Sequence, residues 1–70
     1  MNKIEEARKA KGWTRRKLSS ESDVSEQTIY KIEKDNYKAK PIIIMKLAKA
    51  LDLNFSDLKG MIKGMDDLLF

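Results

Sequence analysis

Residues that stop or start helices recur at short intervals along this chain. Gly12 is placed to end one helix in a left-handed turn, and Thr14 and Ser25 are placed to cap the next two helices. Pro41 suits the first position of a fourth helix, and Asn54, with an acidic residue three positions later, resembles a capping box that opens a fifth. Strand signals are weak, because apolar and polar residues hardly alternate. We predict an all-α fold with helices at about 2–11, 15–22, 26–34, 41–51 and from 55 onward.

The composition excludes most catalytic chemistry. The 70 residues include no cysteine and no histidine, which excludes disulfides, thiol nucleophiles, Ser-His-Asp catalysis and metal ligation by thiolate or imidazole. The sequence also has no phosphate-binding loop and no carboxylate pair at a meaningful spacing. We therefore expect a binding protein that is not an enzyme and that uses no cofactor and no metal.

The length and the hydropathy pattern indicate one small soluble domain. The longest apolar run, 42–45, has four residues, whereas about 20 are needed to cross a bilayer. Charged residues interrupt the start of the chain, where a secretory signal would need an apolar segment. We expect a cytoplasmic protein. A single core of this size rarely gives more than about 3–5 kcal/mol of stability, so close helix packing or a partner subunit must supply the margin.

The positive charge is concentrated in the first four predicted helices. Residues 1–49 contain thirteen Lys and Arg against seven Asp and Glu, a net charge of +6, while residues 50–70 contain two against four, a net charge of −2. Lysine-rich helix surfaces are common in proteins that bind no anion, so charge alone does not establish a nucleic-acid partner. It does place any anion-binding surface within residues 1–49.

The middle of the chain has the pattern of two short helices joined by a tight turn. Residues 14–18 open one helix, 23–25 form a three-residue turn, and 26–33 form the next helix. Apolar residues would lock the two helices together, and polar side chains at the start of the second helix would reach base edges in a DNA major groove. The apolar set is Leu18, Val24, Ile29 and Ile32.

From Ile4 to Leu58 the sequence resembles the Cro/repressor-type helix-turn-helix family, often called the XRE family. The matching stretches are Ile4-x-x-Ala7-Arg8-x-x-Lys11-Gly12-Trp13-Thr14, Val24-Ser25-x-x-Thr28-Ile29-x-x-Ile32-Glu33, and Leu47-Ala48-Lys49-Ala50-Leu51 followed by Asp57-Leu58. The resemblance implies a compact five-helix, lambda-repressor-like domain. We assign residues 1–70 to one such domain, with the helix-turn-helix at about 14–34 and a fifth helix with an apolar tail at about 55–70.

The resemblance also implies roles for individual residues. Relatives pair an arginine of the first helix with a glutamate that ends the third, which here are Arg8 and Glu33, and we expect a partly buried ion pair with a structural role. The start of the recognition helix would read bases through Ser25, Glu26, Gln27, Thr28 and Lys31. Phosphate contacts would come from Thr14, Arg15, Asn36, Tyr37, Lys38 and Lys40.

The sequence departs from the family pattern in and beside the turn. Ser19 and Ser22 stand where relatives have small apolar and leucine residues, and Asp23 stands where they have glycine. These changes predict thinner packing inside the motif and place a residue other than glycine in the turn. Glu26 is the other departure, because a carboxylate repels phosphate in general but can accept a hydrogen bond from cytosine N4. Glu26 therefore indicates either sharp base specificity or a surface that binds a protein partner.

The end of the chain is the best candidate for a partner surface. Six large apolar residues fall in the last ten: Met61, Ile62, Met65, Leu68, Leu69 and Phe70. Part of this set must complete the core, and the remainder would form the interface of a homodimer that reads two DNA half-sites. The alternative is a fifth helix that only folds back on the first. We also expect at least one isoleucine of the run 42–45 to be exposed or covered by a partner.

The function that this sequence favours is a sequence-specific, double-stranded-DNA-binding transcription regulator that resembles phage Cro-like proteins. It would act in the cytoplasm of a bacterial or phage-infected cell by occupying an operator, with neither a membrane nor a small-molecule substrate as partner. Two alternatives share the fold: an antirepressor that binds another repressor protein, and an antitoxin that binds a toxin.

Overall fold

Four α-helices and one 3₁₀ helix make up the part of the chain that the structure, a computed structural model, describes, which is residues 2–64. The α-helices are α1 (Lys3–Ala10), α2 (Arg15–Ser22), α3 (Glu26–Lys34) and α4 (Pro41–Leu51), and the 3₁₀ helix is Phe55–Met61. The all-α prediction is confirmed, as are the positions of the first four helices to within one residue at each end. None of the described helices is long and apolar enough to cross a membrane.

Side-chain caps fix where the first three helices begin. The Oδ1 atom of Asn2 accepts a hydrogen bond from the amide of Glu5 at 2.9 Å, and the Oγ1 atom of Thr14 accepts one from the amide of Lys17 at 3.0 Å. The cap of α3 is Ser25, which is described with the interface below. These bonds satisfy amides that have no partner within the helix. Helix α4 has no such side-chain bond and begins instead with a proline, which lacks the amide hydrogen.

Left-handed residues end the helices and turn the chain back on itself. Gly12 has φ 71° just beyond α1, Asp23 has φ 60° after α2, and Asp52 has φ 58° after α4. Asn36 has φ 52° in the loop after α3. Glycine adopts this conformation freely, and aspartate and asparagine tolerate it better than other residues do. The turns after α2 and α4 bring α2 against α3 and α4 against the 3₁₀ helix.

The helices enclose one core, and α4 lies at its centre, packed against α1, α2 and the 3₁₀ helix. Helices α2 and α3 pack against each other, as a helix-turn-helix requires. Among residues 2–64, the core consists of twelve buried residues: Ile4, Leu18, Val24, Ile29, Ile32, Ala39, Ile44, Leu47, Ala48, Leu51, Leu58 and Ile62. Ile42 and Met45 point away from it and are about half exposed, as the sequence predicts for at least one isoleucine of this run.

The segment after α4 differs from the prediction. A fifth helix does begin at Phe55, but it is a 3₁₀ helix that ends at Met61, and Asn54 makes no side-chain cap bond. Ile62 is extended and pairs with Ala39 as an isolated parallel bridge. The amide of Ala39 donates to the carbonyl of Met61 at 3.0 Å, and the amide of Lys63 donates to the carbonyl of Ala39 at 2.7 Å. These bonds satisfy the backbone groups of Ala39, the buried residue of an otherwise exposed loop, which a continuing α-helix would leave without partners.

Of the six apolar residues predicted as a partner surface, one belongs to the core, as we expect for part of this set. Ile62 is 1% exposed and belongs to the core of this chain, so it is not available to a second molecule. Met61 is half-buried and packs against the same core. The other predicted members, Met65, Leu68, Leu69 and Phe70, lie outside the described residues.

Candidate nucleic-acid interface

Helix α3 has one buried face and one exposed face. Ile29, Ile32 and Glu33 are buried against the other helices. Gln27 and Lys31 are exposed and lie four residues apart, which places them on the same side of the helix one turn from each other. Long polar side chains on this side are free to reach a ligand in front of the helix.

The start of α3 is organised by two hydroxyl groups. The Oγ atom of Ser25 accepts a hydrogen bond from the amide of Thr28 at 3.2 Å and lies 2.9 Å from the Oγ1 atom of Thr28. Ser25 therefore caps the helix, and both hydroxyls keep some capacity for a further bond. Glu26 is exposed in the first turn, where a carboxylate also favours the positive end of the helix dipole.

The turn between α2 and α3 accommodates the residues that depart from the family pattern. The buried hydroxyl of Ser22 donates to the carbonyl of Leu18 at 2.7 Å and accepts from the amide of Val24 at 3.3 Å. Asp23 adopts the left-handed conformation that ends α2. Ser22 thus bonds the backbone of the turn at a site where a leucine would only fill space.

A buried ion pair joins the helix-turn-helix to α1. The Nε atom of Arg8 lies 2.8 Å from one carboxylate oxygen of Glu33, and its Nη2 atom lies 3.1 Å from the other. The Nη1 atom of Arg8 donates to the carbonyl of Trp13 at 2.7 Å. The hydrogen bond to Glu33 raises the pKa of Arg8 above its ordinary value, although burial acts in the opposite direction. The pair fixes the end of α3 relative to α1.

Arg15, at the start of α2, binds the same carboxylate. Its Nε atom lies 2.9 Å from an oxygen of Glu33, and its guanidinium lies 5.0 Å from the centre of the Tyr30 ring, within range of a cation–π contact. Thr14, the cap of α2, is exposed beside it. Two of the predicted phosphate ligands therefore lie at the N-terminal end of α2, next to the exposed face of α3.

The other predicted phosphate ligands lie in the loop between α3 and α4, and all four are exposed: Asn36, Tyr37, Lys38 and Lys40. The amide of Tyr37 donates to the carbonyl of Lys31 at 3.2 Å, and the Nζ atom of Lys31 lies 5.7 Å from the centre of the Tyr37 ring. The first three of these loop residues also line one hollow of about 320 Å³. The loop is thus attached to the last turns of α3 and continues its exposed face.

Sequence reasoning missed two features of this region. It assigned no role to Tyr30, whose half-exposed ring contacts Arg15. It also missed Glu5, a buried carboxylate that binds the Nζ atom of Lys34, at the last residue of α3, at 2.9 Å. Tyr30 and Glu33 are three residues apart and therefore lie on the same side of α3. Given that α2 packs against α3, this spacing could have indicated that Tyr30 contacts Arg15.

Comparison with known proteins identifies the family. The model of the helix-turn-helix family matches residues 4–58, which is 55 of the 70 residues and covers the four α-helices almost completely. Searches of curated proteins and of solved structures gave no significant match. Proteins with this domain are DNA-binding transcription regulators and are not typically enzymes. The chain therefore belongs to the helix-turn-helix family of the Cro/repressor, or XRE, type, and at the level of that family it is a DNA-binding transcription regulator.

Proposed function

We propose that this protein is a sequence-specific regulator that occupies a double-stranded DNA operator with α3 in the major groove. The observation that carries the proposal is the exposed pair Gln27 and Lys31 on α3, with cationic side chains in the two segments attached to this helix. Arg15, at the start of α2, contacts Tyr30 and Glu33 of α3. Lys38 and Lys40 are exposed in the loop before α4, which is hydrogen-bonded to α3 through Tyr37 and Lys31. A major groove is bounded by phosphate backbones, so a helix that enters it benefits from cationic groups in the segments next to it.

Within this proposal the residues divide into two roles. Gln27 suits an adenine and Lys31 a guanine, because an amide can bind the N6 and N7 atoms of adenine and an ammonium can bind the O6 and N7 atoms of guanine. Ser25, Glu26 and Thr28, in the first turn, would read the neighbouring bases. The phosphate ligands would be Thr14, Arg15, Asn36, Tyr37, Lys38 and Lys40.

Regulation would follow from occupancy, because a protein bound at an operator blocks or redirects polymerase. We further propose that two copies bind two half-sites about one helical turn apart, since a symmetric dimer doubles the contacts to an operator. The surfaces available for such pairing include Ile42 and Met45, which are half exposed on α4. Sedimentation of the protein with and without operator DNA tests this part of the proposal.

The experiment that tests DNA binding is a titration of the protein against the DNA that flanks its own gene, and against random DNA, between 50 and 200 mM salt, conditions that resolve phosphate contacts. We expect Lys31→Ala to weaken binding to the preferred sequence by about 1–3 kcal/mol and to relax the preference at one base position. Lys38→Ala should weaken binding to all sequences similarly and reduce the salt slope by about one. Equal effects of both variants on specific and random DNA would contradict base reading by Lys31.

A second function of the same fold is favoured by Glu26. This carboxylate is exposed at the start of α3, where the proposed DNA contact would bring it close to bases and phosphates. In an antirepressor or antitoxin the same side chain would bind a basic group of a partner protein. The variant Glu26→Gln distinguishes the DNA-binding function from the protein-binding function. If the protein binds operator DNA, the variant should bind DNA in general more strongly and should have an altered base preference. Absence of DNA binding below tens of micromolar at low salt would favour the protein-binding function.

A further inference from the structure

Tyr30 and Glu33 hold the guanidinium of Arg15 from two directions. The ring of Tyr30 lies 5.0 Å from the carbon atom at the centre of the guanidinium, and an oxygen of Glu33 accepts a hydrogen bond from its Nε atom at 2.9 Å. Tyr30 and Glu33 are three residues apart on α3, so both reach the start of α2 from adjacent turns of one helix. Two independent contacts restrict a side chain that would otherwise sample many rotamers.

The net positive charge of this cluster lies at the protein surface. Arg8 and Arg15 share the single carboxylate of Glu33, which gives the three groups a net charge of +1. The side chains of Arg8 and Glu33 are 8% and 0% exposed, whereas that of Arg15 is 30% exposed. Solvent, or an anion, therefore meets the unneutralised positive charge only at Arg15.

The two contacts also select which part of the guanidinium is available. Within residues 2–64 the hydrogen bond of Arg15 to another side chain uses Nε, and the contact with Tyr30 uses the face of the group. The Nη1 and Nη2 atoms carry four further N–H groups, and one from each atom points along the edge of the group that faces away from Nε. Two parallel N–H groups on such an edge match the spacing of phosphate oxygens.

We propose that Tyr30 and Glu33 are positioning residues that orient Arg15 to bind a DNA phosphate through its Nη edge. The inference rests on the proposed function and adds to it a role for Tyr30 that requires no contact between Tyr30 and DNA. Affinity comes from orientation as well as charge, because a side chain already held in its binding rotamer loses less entropy when the phosphate binds. Lysine cannot replace Arg15 here, since an ammonium has no face to stack and no edge for paired bonds.

The test is a double-mutant cycle measured by DNA binding at several salt concentrations. Tyr30→Leu keeps an apolar side chain of useful size but removes the ring, and Tyr30→Phe keeps the ring. We expect Tyr30→Leu to weaken binding about three- to tenfold, and Tyr30→Phe to bind within about twofold of the unmodified protein, as the energy of a partly exposed cation–π contact implies. Arg15→Gln should weaken binding further and lower the salt slope by about 0.9.

The decisive result is the coupling between the two sites. In the presence of Arg15→Gln, Tyr30→Leu should cause no further loss, because the group that it positions is gone. Tyr37→Ala is the matched control, since Tyr37 is equally exposed but contacts Lys31, and its effect should add to that of Arg15→Gln. Thermal unfolding of each variant checks that it is folded, and Tyr30→Phe tests the ring with the least disturbance of packing.

Two outcomes would overturn the inference, and they are distinguishable from each other. If the unmodified protein binds DNA but the effects of Tyr30→Leu and Arg15→Gln simply add, Tyr30 does not act through Arg15. If Tyr30→Phe lowers DNA affinity as much as Tyr30→Leu does, the contribution of Tyr30 to binding comes from its hydroxyl group and not from its ring. Failure of the unmodified protein to bind any DNA would instead overturn the proposed function, and with it the inference.

Discussion

The guanidinium of Arg8 donates to both carboxylate oxygens of Glu33 across 25 residues of chain, through Nε at 2.8 Å and Nη2 at 3.1 Å. The carboxylate is fully buried and the guanidinium nearly so. A paired arginine and carboxylate in the interior contribute little net stability, because the loss of hydration offsets their attraction. Each partner, however, makes the burial of the other tolerable.

Removal of one partner should therefore destabilise the protein far more than removal of both. We expect Glu33→Ala to lower the free energy of unfolding by about 3–5 kcal/mol, because it leaves Arg8 charged and buried. That loss is comparable to the whole stability expected of a domain of this size. The double variant Arg8→Met/Glu33→Leu should lose less than Glu33→Ala alone. Urea unfolding followed by circular dichroism measures the stability of the unmodified protein and of both variants. A larger loss of stability in the double variant than in Glu33→Ala would contradict the expectation.

Glu5 should make stability depend on pH in the acid range. The hydrogen bond from Lys34 lowers the pKa of Glu5 below its usual value of about 4.3, burial opposes this shift, and the charges of Lys34 and Lys9 add to the lowering. Because the carboxyl group binds a proton more tightly in the unfolded chain, its contribution is fully present above about pH 4.3 and is lost as pH falls through the lower pKa of the folded state.

Two variants isolate this contribution. Glu5→Gln removes the titrating group, and Lys34→Met removes its closest partner, at 2.9 Å. Both should flatten the fall in stability between about pH 5 and pH 3 relative to the unmodified protein, because the lowered pKa of Glu5 produces part of that fall. Urea midpoints measured at several pH values test the prediction. An unchanged acid profile in both variants would show that other carboxyl groups account for it.

Ile62 should behave as a core residue. It is 1% exposed, and its neighbour Met61 is only partly buried. We expect Ile62→Ala to cost about 2–5 kcal/mol in unfolding free energy, through lost burial and the cavity that remains. Met61→Ala should cost less. If Ile62→Ala left stability unchanged but altered the oligomeric state in sedimentation, Ile62 would belong to an interface between molecules instead.

Substitution of alanine for Gly12 and for Gly60 should change the stability of the protein in opposite directions. Gly12 has φ +71°, and Gly60 has an ordinary helical φ in the 3₁₀ helix. No atom of the described residues lies within 4 Å of a Cβ added at either position, so backbone conformation decides the outcome. Gly12→Ala should destabilise the protein by about 1–2 kcal/mol. Gly60→Ala should stabilise it by up to about 1 kcal/mol, because alanine restricts the unfolded chain. Thermal melts of both variants suffice, and shifts of the same sign would exclude this explanation.

Local signals in the sequence predicted the first four helices, because each signal depends on only a few neighbouring residues. Thr14 and Ser25 accept the cap bonds that their residue types predict, and Gly12 and Asn36 adopt the left-handed conformation. The apolar positions Leu18, Ile29 and Ile32 are buried for the same reason, since a helix places residues three or four apart on one face. The helix-turn-helix is readable because its two helices are adjacent in sequence.

The same reasoning was less successful after Leu51, where contacts over longer distances decide the structure. Spacing of three and four residues from Leu58 onward predicted a continuous α-helix, but Ile62 is extended. Its partner, Ala39, lies more than twenty residues earlier, in a loop that local propensity cannot connect with it. The isolated bridge satisfies buried backbone groups of Ala39. The cost of leaving these groups unpaired outweighs the helix propensity of a segment that contains Gly60, because glycine weakens a helix.

By itself, the sequence determined the boundaries of the first four helices, their buried faces and the family of this protein, because capping and apolar periodicity are properties of short segments. The tertiary structure decided which distant side chains meet: that Arg8 and Arg15 share Glu33, that Tyr30 contacts the guanidinium of Arg15, and that Ile62 completes the core. Such contacts depend on how helices pack in three dimensions, and the linear pattern of any one segment does not contain that packing.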